Sequence, residues 1–157
     1  MMGTAALEKV LHIRENEKTQ AQKAYHKSIE QFEEVGTQLY DILRKKETAE
    51  TAYETYLKQT APIQKIREQA TFIEHLNKQI LKLQKDVQQA RDVMNAKHAY
   101  LSETYIEMKK YEKIIEHRQA EKDAKARKIE KDTMDEISIR QFMDKKTGEQ
   151  HGSEINK

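Results

Sequence analysis

Six histidines, His12, His26, His75, His98, His117 and His151, are the residues of this 157-residue chain best suited to hold a metal or move a proton near neutral pH. Their spacing argues against both roles. No two of them form an HExxH pair, which would place two imidazoles on one helical face with a carboxylate between them. With no Cys there is no thiolate zinc site, disulfide framework or cysteine nucleophile. The glycines Gly3, Gly36, Gly148 and Gly152 are too dispersed to cradle a phosphate, and no Ser sits in a nucleophile elbow. No catalytic, cofactor-binding or metal residue is therefore assigned, and the histidines read as polar surface groups. What remains is surface recognition. Phe72 lies beside an apolar stripe rather than on it, and Tyr40, Tyr100 and Tyr105 likewise fall off that stripe, where amphipathic rings cover a helix edge or anchor a partner.

Composition says which elements carry these residues. Charged residues make up 36% of the chain and hydrophobic residues another 36%, with one Pro and no Trp. Few turn formers and a thin apolar fraction exclude a layered all-β or α/β domain, and Glu, Lys, Gln, Ala and Leu suit long helices. Lys plus Arg number 9, 10 and 10 over residues 1–60, 61–115 and 116–157, against 10, 7 and 10 for Asp plus Glu, so no segment concentrates positive charge. Nucleic-acid binding, which needs such a concentration to displace counterions, is not expected. No apolar run reaches the ~18 residues of a membrane span, and the N-terminal segment lacks a signal-like apolar core, so a soluble, unexported protein is expected.

Periodicity gives the architecture. In residues 11–56 the a positions are Leu11, Lys18, Tyr25, Phe32, Leu39, Lys46 and Tyr53, and the d positions Arg14, Ala21, Ser28, Val35, Ile42, Ala49 and Tyr56. In the second arm the a positions run Ile66, Ile73, Ile80, Val87, Met94, Leu101, Met108 and Ile115 without a polar interruption, and the d positions are Gln69, Leu76, Leu83, Ala90, Lys97, Thr104, Tyr111 and Arg118. A 3.5-residue period specifies a coiled coil. If the arms fold back on one another, a faces d, and facing residue numbers share a sum of 122: Leu39 meets Leu83, Ile42 meets Ile80, Val35 meets Val87 and Leu11 meets Tyr111. That sum centres the reversal on residue 61, next to Pro62, with Thr60 or Ala61 as the cap and the proline in the first helical turn. The expectation is an all-α fold, a long antiparallel two-helix coiled-coil hairpin with an overhanging C-terminal helix and a disordered tail. Helix 1 spans about 5–59, the turn 60–63 and helix 2 about 64–135. The apolar knot at 134–143 is a docking segment or a last helical turn, and 144–157 is a polar tail expected to be disordered. Gly36 marks a slight bend or a close contact inside the first arm. Pairs such as Glu121–Lys125 support the overhang.

The segments LEKVLHIRENEK, EQATFIEHLNKQI and MDEISIRQFM resemble the flagellar export protein FliJ of bacteria over residues 7–143. The resemblance implies a non-enzymatic stalk or adaptor of the flagellar type III protein export apparatus, without cofactors, a monomer in isolation, cytoplasmic and peripheral at the cytoplasmic face of the cell membrane. Its implied partners are the hexameric export ATPase FliI, the export-gate membrane protein FlhA and substrate chaperones. The family's gate contacts map onto Gln38, Phe72 and Leu76. The open end of the hairpin, expected to enter the ATPase ring, supplies Leu7, Leu11, Arg14, Lys18, Met108, Tyr111, Ile115 and Arg118. The alternatives are the equivalent stalk of a virulence-type secretion system or rotary ATPase, and a generic structural coiled coil that dimerises through the same seam.

Overall fold

The computed structural model describes residues 3–155, with side chains for 3–148. Two helices account for almost all of it: α1, Thr4–Lys58, and α2, Ile63–Ile155. They pack against each other as an all-α hairpin without strands among the described residues. The chain divides into two compact units, His12–Met108 and a second that joins Met1–Leu11 to Lys109–Lys157.

The turn belongs to the unit His12–Met108. α1 ends in a Schellman arrangement: the Ala61 amide donates to the Tyr56 carbonyl (3.0 Å), and Thr60 occupies the left-handed position with φ 51°. Glycine is the usual residue there, because a Cβ crowds the neighbouring carbonyl. Since Thr60 closes α1, it is not available to cap α2. Pro62 does so itself, its carbonyl accepting from the Lys65 amide (3.0 Å) and the Ile66 amide (3.3 Å). The expected cap at Thr60 or Ala61 is thus corrected by one to two residues, and the proline loses nothing at a position whose amide needs no helical partner.

Along the same unit the buried side chains are Ala21, Ser28, Ala49, Leu76, Ile80, Thr104 and Met108, and every one is an a or d position. The register can be checked across the seam. The Tyr25 and His98 rings lie 5.2 Å apart, the Arg91 guanidinium sits 5.6 Å from the Phe32 ring centroid and the Lys65 ammonium 5.9 Å from that of Tyr56. Each pair's residue numbers add to within one of 122, the antiparallel register read from the heptads. Ser28 and Thr104 are polar yet buried, and each hydroxyl donates to a carbonyl of its own helix, Tyr25 (2.6 Å) and Leu101 (2.7 Å). An i−3 bond of this kind satisfies the hydroxyl without a partner across the seam, leaving a small residue where the helices approach. Gly36 is helical, and a Cβ there would meet nothing within 4 Å, so the expected close contact is absent.

In the other unit Leu7 is buried, while Leu11, Tyr111, Ile114, Ile115 and Arg118 are half-buried. From 119 to 148 every residue is exposed, as an overhang without a covering helix requires. Its local pairing differs in detail from expectation. Glu121 turns back to His117 (3.1 Å) and Asp123 accepts from the Gln119 amide (3.2 Å), whereas no Glu121–Lys125 pair forms. Residues 134–143 continue α2 as helix, with Met134, Ile139, Phe142 and Met143 exposed. The segment 144–155, expected to be disordered, is helical as well. Extension of an existing helix needs no new nucleus, and Gly148 and Gly152 cost only about 1 kcal/mol each against alanine, so propensity alone does not stop α2. Residues 156–157 lie outside the described part.

Candidate interaction surface

Two grooves on one edge of the unit His12–Met108 gather two of the three residues assigned to gate contact. In the first, Phe72 forms a wall 46% exposed, the small side chains Ala49 and Ala52 form the floor, and Asp41, Arg44, Lys45 and Thr48 line the opposite rim, enclosing about 650 Å³. The Gln69 side chain crosses the seam and donates to the Ala49 carbonyl (3.0 Å). A side chain as small as alanine leaves the helix carbonyl open to this approach, and the bond ties α2 to α1 one turn before Phe72. Arg44 is steered by its own helix, the guanidinium 5.8 Å from the Tyr40 ring centroid. In the second groove Gln38 is exposed on α1 opposite Asp86, Gln89 and Val93. Gln38 and Phe72 occupy the same flanking register on facing helices, which is why the hairpin brings them to one edge.

Leu76 does not join them. It is 2% exposed, the most completely buried large side chain among the described residues. A d position that closes the seam offers almost no free surface in this fold, and Leu76 holds the helix that presents Phe72.

The eight residues expected at the ATPase contact also lie on the seam. Leu7 and Met108 are buried at 4% and 6%, and Leu11, Arg14, Lys18, Tyr111, Ile115 and Arg118 are half-buried. They are seam residues, and five of them belong to one unit while Arg14, Lys18 and Met108 belong to the other. Leu11 and Ile115 do come together, lining a groove with Glu112 and Gln119. Arg14 is held by Glu17 (3.0 Å), and Lys18 lines a groove with Leu101, Tyr105 and Ile106. The exposed apolar residues on these stretches are others: Ile13, Tyr100, Tyr105 and Ile106. A signal for Ile13 and Ile106 existed in the sequence, since both are apolar outside a and d.

Among the described residues no three His, Cys, Asp or Glu side chains are placed to hold a metal ion, and no helix is long and apolar enough to cross a membrane. His98 is occupied by Tyr25 and His117 by Glu121, while the side chain of His151 lies outside the described residues.

Comparison with known proteins decides the family. The family described as "Flagellar FliJ protein" matches residues 2–147. The chain belongs to the FliJ family. A flagellar FliJ protein of Bacillus subtilis (strain 168) is 38% identical over 136 residues, covering 87% of this chain and 92% of the relative. No solved structure matches. The resemblance seen in LEKVLHIRENEK, EQATFIEHLNKQI and MDEISIRQFM is therefore borne out, and FliJ membership associates the chain with flagellar protein export.

Proposed function

We propose that the protein is a non-enzymatic adaptor of the flagellar type III export apparatus, joining the export ATPase ring to the membrane-embedded export gate at the cytoplasmic face of the membrane. The observation that carries this reading is a FliJ-family chain, matched over nearly its whole length, that folds as a helical hairpin and presents Phe72 at a groove. Such a fold supplies surfaces rather than a cleft. A half-exposed aromatic above an alanine floor is the anchor type that dominates protein interfaces, and the Arg44 and Lys45 rim gives it polar borders. Gln38 on the same edge adds an adaptable donor and acceptor. The ATPase is met by the exposed helix 119–148, where basic and acidic residues alternate. Mixed charge in a water-facing helix makes many weak pairs, each about 0.2–1 kcal/mol, so contact passes among equivalent ring subunits without locking to one. Substrate chaperones are further partners in this reading.

The gate assignment is tested with the purified full-length chain and the cytoplasmic domain of the export gate, measured by calorimetry. Phe72→Ala should retain the helical melt and weaken binding by at least about tenfold, the cost of a truncated aromatic anchor. Unchanged affinity removes the gate from this surface.

A further inference from the structure

Residues flanking the seam of a two-stranded coil are commonly Glu and Lys, which keep that flank in water. One flank of the unit His12–Met108 departs from this. On α2 it reads Phe72, Gln79, Asp86, Val93, Tyr100 and Glu107, at intervals of seven. The facing row on α1 reads Glu17, Ala24, Gln31, Gln38, Lys45 and Ala52. Only four of these twelve positions are charged, and Val93 and Tyr100 stand 39% and 51% exposed beyond the Phe72 groove.

Three grooves open in succession along this flank. After the one at Phe72 comes a groove of about 390 Å³ floored by Val35 and Ala90, then one of about 460 Å³ floored by Ala21 and Ala24 under Tyr100. Small floors and larger walls recur with the heptad. From Phe72 to Tyr100 is 28 residues along α2, about 42 Å at the helical rise.

We infer that this flank is a trough for a third helix, supplied by a partner protein: an amphipathic helix of about four heptads that lays its apolar stripe along Phe72, Val93 and Tyr100. A helix offers a side chain to the trough every 3.5 residues on average, so grooves about 14 residues apart fall on every fourth such side chain. An extended peptide spans that distance in about 13 residues and shares no period with them. Charge defines the occupant further. Arg44 and Lys45 against the single carboxylate of Asp41 leave the first groove net positive, and Glu34 and Asp86 border the second. Among the described residues Lys45, Glu34 and Asp86 take part in no ion pair. In the antiparallel register these two sites lie about ten residues apart, roughly 15 Å along the axis. The fitting helix therefore carries a carboxylate and, about three turns away, a cationic side chain, both beside its apolar stripe. The trough includes Gln38 and Phe72 but does not depend on the gate being the partner.

The test uses the full-length chain and two synthetic 28-residue helical peptides with the same leucine stripe, one with Glu and Lys ten residues apart beside it and one with Gln at both positions. Fluorescence anisotropy should show the charged peptide binding about fivefold tighter, as two part-exposed ion pairs allow. Tyr100→Ser and Val93→Asp, each checked for an unchanged melt, should weaken it by about tenfold or more. Leu43→Asp, on the other flank, should leave it within about twofold. Equal affinity for the two peptides, no measurable binding of either, or equal damage from Leu43→Asp overturns the trough. So does Tyr100-dependent self-association in sedimentation, which assigns the flank to a second copy of this chain. Failure of Phe72→Ala to affect gate binding leaves all these outcomes readable.

Discussion

Replacing Leu76 with alanine removes three carbons from the most buried large side chain of the hairpin, and the cost can be worked from its surroundings. At about 0.8 kcal/mol per buried methylene the lost transfer energy is about 2.4 kcal/mol. A cavity term adds to this, but two helices closing on one seam relax inward more readily than a globular core does, which favours the lower part of the usual 2–5 kcal/mol range. About 3 kcal/mol is expected, a fall of roughly 6–12 °C in melting temperature for a chain of this size. Phe72, one turn earlier and half exposed, is the internal control: its truncation should cost no more than about 1 kcal/mol. Urea titration followed by far-ultraviolet circular dichroism reads both variants on one scale. If Leu76→Ala melts with Phe72→Ala, Leu76 does not close the seam and the separation of core from contact surface on this helix is wrong.

Other substitutions probe the backbone. Thr60→Gly relieves about 1–2 kcal/mol of left-handed strain at the cost of about 0.5–1 kcal/mol in unfolded-chain freedom, so a net gain of about 0.5–1 kcal/mol should appear as a small rise in the urea midpoint. Gly36→Ala places a methyl where nothing lies within 4 Å and should stabilise by about 0.5–1 kcal/mol in the same titration; a loss would reveal a contact at that face. Truncation after Gln119 removes, among the described side chains, only exposed ones, and the melt of the remaining hairpin should shift by less than about 1 kcal/mol.

The register was the most legible feature of the sequence, because two independent heptad stripes and one proline agree on a single reversal. Tyr25 with His98 and Phe32 with Arg91 fall where that register puts them. The cap was less legible: nothing in Thr60-Ala61-Pro62 announces that a threonine will take the left-handed position and leave Pro62 to start α2. The helix through 144–155 was missed because a polar composition reports the absence of a core, not the ease with which a formed helix extends. Among the residues expected at contacts, Phe72 and Gln38 were legible as off-seam positions and are exposed, whereas Leu76, Leu7 and Met108 are seam positions and are buried. Val93 stood out only once α1 was placed beside it.

The proposed adaptor role is tested most directly by the hydrolysis rate of the purified export ATPase, measured with and without the full-length chain and its truncation after Gln119. Stimulation by the full chain, largely lost on removal of the exposed helix, is the expected result. An ATPase indifferent to the full chain, or stimulated equally by the truncated one, contradicts it.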